Sequence, residues 1–204
     1  IILPLANTLV WIFLSRSGVV NLSETPLPYP VYVFTGALLW SILMDAVNAP
    51  LQIVSASKGM LAKINFPREA LVVSGIYQTI ANALIKVALL LIALPTMGIH
   101  PDWRVLLFPL GLLSLILVGT VVGIALTPVN VLYADVGKAI PLLMQFLMYL
   151  TPVVFAMPRE GLPATVFQLN PLTPLILTAR DWLTGLPPAH LGYFVVVNVI
   201  ALAL

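Results

Sequence analysis

The sequence predicts an all-α membrane protein, a single transmembrane domain over residues 1–204 with six spans. Three observations carry this. Hydrophobic residues make up 61% of the chain and charged residues 8%, against about 25% charged in soluble domains. The mean hydropathy is +1.10, so too few charges remain to cover a water-facing surface. The apolar residues also fall into runs near the length of about 20 that a bilayer core of about 30 Å requires. The net charge of +2 is too small to suggest nucleic-acid binding, and with no Cys the chain has neither disulfides nor a thiolate metal site.

Taken in order, the expected spans are 1–14, 31–54, 70–97, 105–129, 140–157 and 191–204. The first and last are short, and both ends of the chain lie inside apolar runs, so these two spans are expected to be truncated. The first run has no positive n-region and no small-residue cleavage site, unlike a complete signal peptide. Pro26, Pro28 and Pro30 end the first loop. Residues 98–104 form a short loop with Trp103 at interfacial depth. Asn130–Ala139 is a short polar loop containing Tyr133, Asp135 and Lys138.

Residues 158–190 read differently. The pieces Leu162–Leu169 and Leu172–Leu183 are apolar but too short to span, and Asn170-Pro171 and Thr173-Pro174 break them. Two short re-entrant or interfacial helices before the last span fit best. Non-helical backbone at membrane depth must be buried in protein or face water, so this segment is expected to line or cover a pathway.

The stretch Ser55–Glu69, SASKGMLAKINFPRE, is the densest charge in the chain. Lys58–Phe66 can form about two turns of amphipathic helix, with Met60, Leu61, Ile64 and Phe66 apolar and Lys58 and Lys63 wet. Pro67 suits the first turn of the next helix, ahead of Arg68 and Glu69. Such a basic loop is where a membrane protein meets a soluble partner. With this loop cytoplasmic, Lys58, Lys63, Arg68 and Lys138 lie inside and Arg16, Arg104, Arg159 and Arg180 outside. The positive-inside rule is balanced by count. The clustering of the inside charges, and the absence of Lys outside, favour this orientation.

Polar groups inside the spans form two stripes. Ser41, Asp45, Asn48 and Gln52 share a face of the second span, and Gln78, Asn82 and Lys86 share a face of the third. An isolated charge at that depth costs at least about 2.5–3.5 kcal/mol on insertion scales, so Asp45 and Lys86 are expected to pair. Counted from the ends of the spans they differ in depth by about 8–11 Å, leaving Asn48 and Asn82 to bridge the remainder. The stripes read either as polar glue between helices or as the lining of a wet pathway. A proton relay fits worse, since the spans hold one carboxylate and no His. The fifth span brings Gln145, Tyr149, Pro152 and Phe155 together. These are exit candidates that would stack on sugar rings, or an ordinary interfacial belt. The GTVVG pair Gly119 and Gly123 permits close helix packing.

No enzyme constellation appears. Gly137-Lys138 is followed by Ala139 and lacks the leading glycine of a P-loop. His100 and His190 lie alone in loops, and pairs such as Arg180-Asp181 read as solvated charges. No catalytic, cofactor or metal residue is assigned.

Three stretches, in this order, resemble the permease subunit of type-2 ATP-binding-cassette exporters, in the branch that moves O-antigen, teichoic acid or capsular polysaccharide. They are LAKINFPRE at 61–69; NVLYADVG at 130–137, running on through Pro141 and Gln145 to YLTPVVF at 149–155; and LNPLTP at 169–174, with Arg180 downstream. The resemblance implies a homodimer of six-span subunits in the bacterial cytoplasmic membrane. It implies two copies of a separate ATPase that binds ATP and Mg, and a lipid-linked glycan as cargo. It makes 55–69 a coupling helix, places 130–138 near the same face, and makes Asn170 and Pro171 part of re-entrant helices at the outer exit. A permease for a drug, antibiotic or small lipid is the alternative within transport, and a channel or scaffold without an ATPase is the alternative outside it.

Overall fold

The computed structural model describes residues 2–16, 25–61, 68–100, 102–133, 135–157 and 161–204. Among them, all regular structure is helical. The elements are α1 (Ile2–Arg16), α2 (Tyr29–Leu61), α3 (Arg68–Thr96), a 3-10 turn (Trp103–Leu107), α4 (Phe108–Leu132), α5 (Val136–Tyr149), α6 (Gly161–Leu169), α7 (Leu172–Thr184) and α8 (Leu191–Ala203). Three stretches are long and apolar enough to cross a membrane: Tyr29–Ala56, Val73–Thr96 and Trp103–Leu132. Val136–Tyr149 and Leu191–Ala203 are shorter apolar helices. Among the described residues, three of the six expected spans are thus long and apolar enough to cross a membrane.

Two boundaries differ from expectation for physical reasons. The span expected over 140–157 stops at Tyr149, and residues 150–155 form turns. Pro152 has no N–H to continue the helix and disfavours helical backbone at Thr151. α2 does not stop at Val54 but runs on to Leu61 with Pro50 inside it. Residues 58–61, expected in a separate coupling helix, are the last turn of α2. The rest of that expected helix, 62–66, lies outside the described residues. At the other end Pro30 falls in the first turn of α2, where its missing N–H has no intrahelical partner to lose.

α2 is the centre of the fold. Its spanning stretch is 78% buried, whereas that of α3 is 28% buried, so α3 is a peripheral helix held mainly by α2. Leu38, Leu39, Ile42, Leu43, Ala46 and Val47 of α2 are buried. α4 lies against this face because Gly119 and Gly123 leave its backbone bare. A methyl group on Gly119 would stand 2.6 Å from Ala46 Cβ, and one on Gly123 would strike the Val47 carbonyl oxygen. The two glycines are thus a packing contact.

The segment after α5 folds as the two short helices expected, α6 and α7, parted at Asn170-Pro171. α7 packs on α4, α2 and α8, with Leu175, Ile176, Ala179 and Leu183 fully buried. It closes at Gly185, whose φ of +80° is the left-handed conformation that suits glycine.

Candidate functional site

α2 and α3 form an antiparallel pair. Lys86 of α3 meets Ser41 and Asp45 of α2, and Gly75, one end of the same α3 face, meets Ala49 and Ile53. The Lys86 ammonium donates to Asp45 Oδ2 at 2.7 Å, Ser41 Oγ at 2.6 Å and the Ser41 carbonyl at 3.1 Å. Its three N–H groups therefore have three acceptors. The Lys86 side chain is 6% exposed and that of Asp45 34%, so the cation is enclosed while one edge of the carboxylate stays open.

This contact is direct. Asn48 instead donates to the Met44 carbonyl of its own helix, and Asn82 is exposed. The continuous α2 explains the missing bridge. Asp45 lies 16 residues before Leu61 and Lys86 lies 18 residues after Arg68. Measured from those helix ends, the two differ by about 3 Å in depth, which a lysine side chain spans.

At the end of α5, a second cation is buried. Arg180 of α7 is 1% exposed. Its Nη1 donates to the Pro152 carbonyl at 2.9 Å and its Nη2 to the Val153 carbonyl at 3.1 Å. The guanidinium lies 3.8 Å from the ring centroid of Tyr32, whose hydroxyl donates to the carbonyls of Pro152 and Phe155. Gly36, one turn on from Tyr32, leaves room for the guanidinium, which contacts the position where a Cβ would stand. Asn170 completes the arrangement by donating to the Leu150 carbonyl and Thr151 Oγ while accepting from the Leu172 N–H. The carbonyls of the turn after α5 are thus satisfied by α2, by α7 and by Asn170 between α6 and α7.

The reading of Arg180-Asp181 as a solvated pair is therefore corrected. Arg180 shares a helical face with Ile176, Leu183 and Thr184, all buried, and that spacing in the sequence was the signal for it. Burial pushes the Asp181 carboxyl up to about 6, against the opposing influence of the Arg180 charge.

At the opposite end of α2, Asn130 near the end of α4 is buried and donates to Ser55 Oγ at 2.9 Å and to the Leu51 carbonyl at 3.3 Å. This ties the end of α4, just before Tyr133, to α2. Tyr133 is exposed, and Asp135 and Lys138 are exposed partners 3.9 Å apart, a pair worth little in water. Of the loop residues, Lys63, Phe66 and Pro67 lie outside the described residues. Lys58, Met60 and Leu61 occupy the last turn of α2, and Arg68 and Glu69 begin α3.

Among the remaining candidates, Gln52, Gln78 and Gln145 are exposed, and Tyr149 and Phe155 contact Trp11 of α1. Pro152 is buried and Pro171 exposed. The structure therefore brings Ser41, Asp45 and Lys86 into one cluster and Pro152, Asn170 and Arg180 into another.

Two outcomes follow. Lys86→Met leaves Asp45, one edge of which is open, without its partner and is expected to cost about 1–3 kcal/mol. Adding Asp45→Leu should recover most of that loss in a thermal-unfolding double-mutant cycle in detergent. At the other cluster, Arg180→Lys loses the two-pronged contact and the stacking. It should lower the melting temperature by more than Tyr32→Phe, which removes only a hydroxyl worth about 1–2 kcal/mol.

No protein-family profile matches the chain. The chain is similar to the O-antigen export system permease protein RfbA of Myxococcus xanthus, at 25% identity over 151 residues, which is 72% of this chain. The match covers 58% of that relative, so the chain spans less than two thirds of its length. This relative bears out the resemblance to the permease subunits of type-2 ATP-binding-cassette exporters.

Proposed function

We propose that the chain is the membrane subunit of an ATP-driven exporter that carries a lipid-linked polysaccharide of O-antigen, teichoic acid or capsule type across the bacterial cytoplasmic membrane. The similarity to an O-antigen export permease is the observation that carries the cargo class. Two permease chains work with two copies of a separate ATPase, which binds ATP and Mg.

The α2–α3 hairpin supports the mechanical part of this reading. α2 is a single helix from Tyr29 to Leu61, and the ion pair fastens it to α3. From Asp45 to Leu61 is about 24 Å of helix, with one backbone hydrogen bond missing at Pro50. The basic stretch 55–69 then receives the push of the ATPase at the tip of a helical lever. Asn130 lets the end of α4 follow the same movement through Ser55. ATP binding and hydrolysis do work on this chain only through contacts that differ between closed and open states.

A charge reversal at the tip tests the reading. Lys63→Glu is expected to leave the permease folded and inserted while lowering export and loosening its link to ATP hydrolysis, measured with the ATPase subunit in proteoliposomes. Unchanged coupled export in Lys63→Glu and in Lys58→Glu would remove 55–69 from the mechanism.

A further inference from the structure

The two polar stripes lie on the same edge of the α2–α3 seam, and the geometry points to a furrow there. The contact row on α2 contains Ser41, Asp45, Ala49 and Ile53; that on α3 contains Gly75 and Lys86, with Thr79 and Ala83 buried on the same face. Asn48 and Gln52 each stand three residues after a member of the α2 row, as Gln78 and Asn82 do on α3. Three residues place a side chain about 60° back around the helix. In an antiparallel pair, equal rotations of the two helices turn toward the same side of the seam. The other side is filled by α4, where Ile116 packs with Ile42 and Ala83. The amide side remains open, with Gln52, Gln78 and Asn82 exposed and Asn48 half-buried.

The furrow occupies half of the membrane depth. It ends at the open edge of Asp45, about 16 Å along α2 from Ala56, near the middle of a 30 Å core. Beyond Asp45 the α2 surface closes, with Leu38 and Phe34 buried, and the α3 edge continues as the apolar Ile85, Leu89 and Ala93. A helix docked on this edge would meet amides over only part of its length. Carboxamides facing hydrocarbon are costly, so the open groups call for a polar occupant.

We propose that this furrow is a binding groove for the neutral, hydroxyl-rich sugar units of the cargo, entered from the 55–69 side. This rests on the export reading above. The chemistry selects hydroxyls over phosphate. All three donors of Lys86 are spent on Ser41 and Asp45, so among the described side chains of the furrow none offers a free cation to an anion. The groups that remain are amides, which donate and accept, and a carboxylate edge that accepts.

The chain has no cysteine, so single-cysteine variants need no altered background. Gln52→Cys, Gln78→Cys and Asn82→Cys would be treated with a charged, water-soluble methanethiosulfonate in two kinds of membranes. One kind comes from cells that make the polymer, the other from cells lacking its first sugar-transfer step. Leu84→Cys, on an exposed apolar face, is the control. All three furrow positions are expected to react and to be slowed several-fold by the polymer, whereas Leu84→Cys reacts only with a lipid-soluble maleimide. Reaction at the furrow with the maleimide alone overturns the proposal, as does a disulfide between two copies. Soluble access that the polymer leaves unchanged overturns the sugar assignment. The export reading fails separately, if the unsubstituted chain with its ATPase moves no polymer. Asn82→Leu should reduce export while nucleotide hydrolysis by the complex persists.

Discussion

A lysine near the middle of a membrane helix must be neutralised locally, and Lys86 sets the terms for the structure around it. Its ammonium takes both oxygens of Ser41 together with Asp45, so the register of α3 on α2 is fixed by three hydrogen bonds from one nitrogen. Removing one partner strands the other charge, whereas an apolar pair would tolerate small slips. α3 has few other neighbours, so the ion pair is the constraint that makes a peripheral helix part of the core.

α2 carries that constraint to both ends of the molecule. Toward one end it offers Tyr32 and Gly36 to Arg180, which holds the turn where α5 stops. Toward the other it offers Leu51 and Ser55 to Asn130. Between them the glycines of α4 bring its backbone against the same helix. One helix thus carries part of the 55–69 stretch, one side of the ion pair and one side of the clamp on α5. In the proposed exporter, a displacement at Leu61 would reach the Pro152 turn through a single helix, past Pro50.

Much of this was legible in the sequence. The class followed from composition, the short helices of 158–190 from Asn170-Pro171, and the partnership of Asp45 and Lys86 from the cost of an unpaired charge. The depth of that pair was misjudged because helix ends were placed where hydropathy fell. The polar turns from Ser55 to Leu61 remain helical nonetheless, since hydrogen bonding within a helix is indifferent to the polarity of its side chains. Arg180 was misread for a related reason. Its neighbour Asp181 suggested a solvated pair, but burial depends on which face of α7 meets α2 and α4, and that is a tertiary fact. Pro152 could be seen as a helix breaker; the groups that satisfy the broken end come from residues more than a hundred positions upstream and about thirty downstream.

The central claim is that α2 and α3 move as one body. Ala49 and Gly75 face each other, with 3.6 Å between Ala49 Cβ and a Cβ built on Gly75, close to the spacing of a disulfide. The most direct measurement is ATP-driven export by an Ala49→Cys/Gly75→Cys protein, oxidised and reduced, in proteoliposomes with its ATPase. The account predicts equal export in the two states. Export that stops on oxidation and returns on reduction would show that the helices slide past each other, and would contradict it.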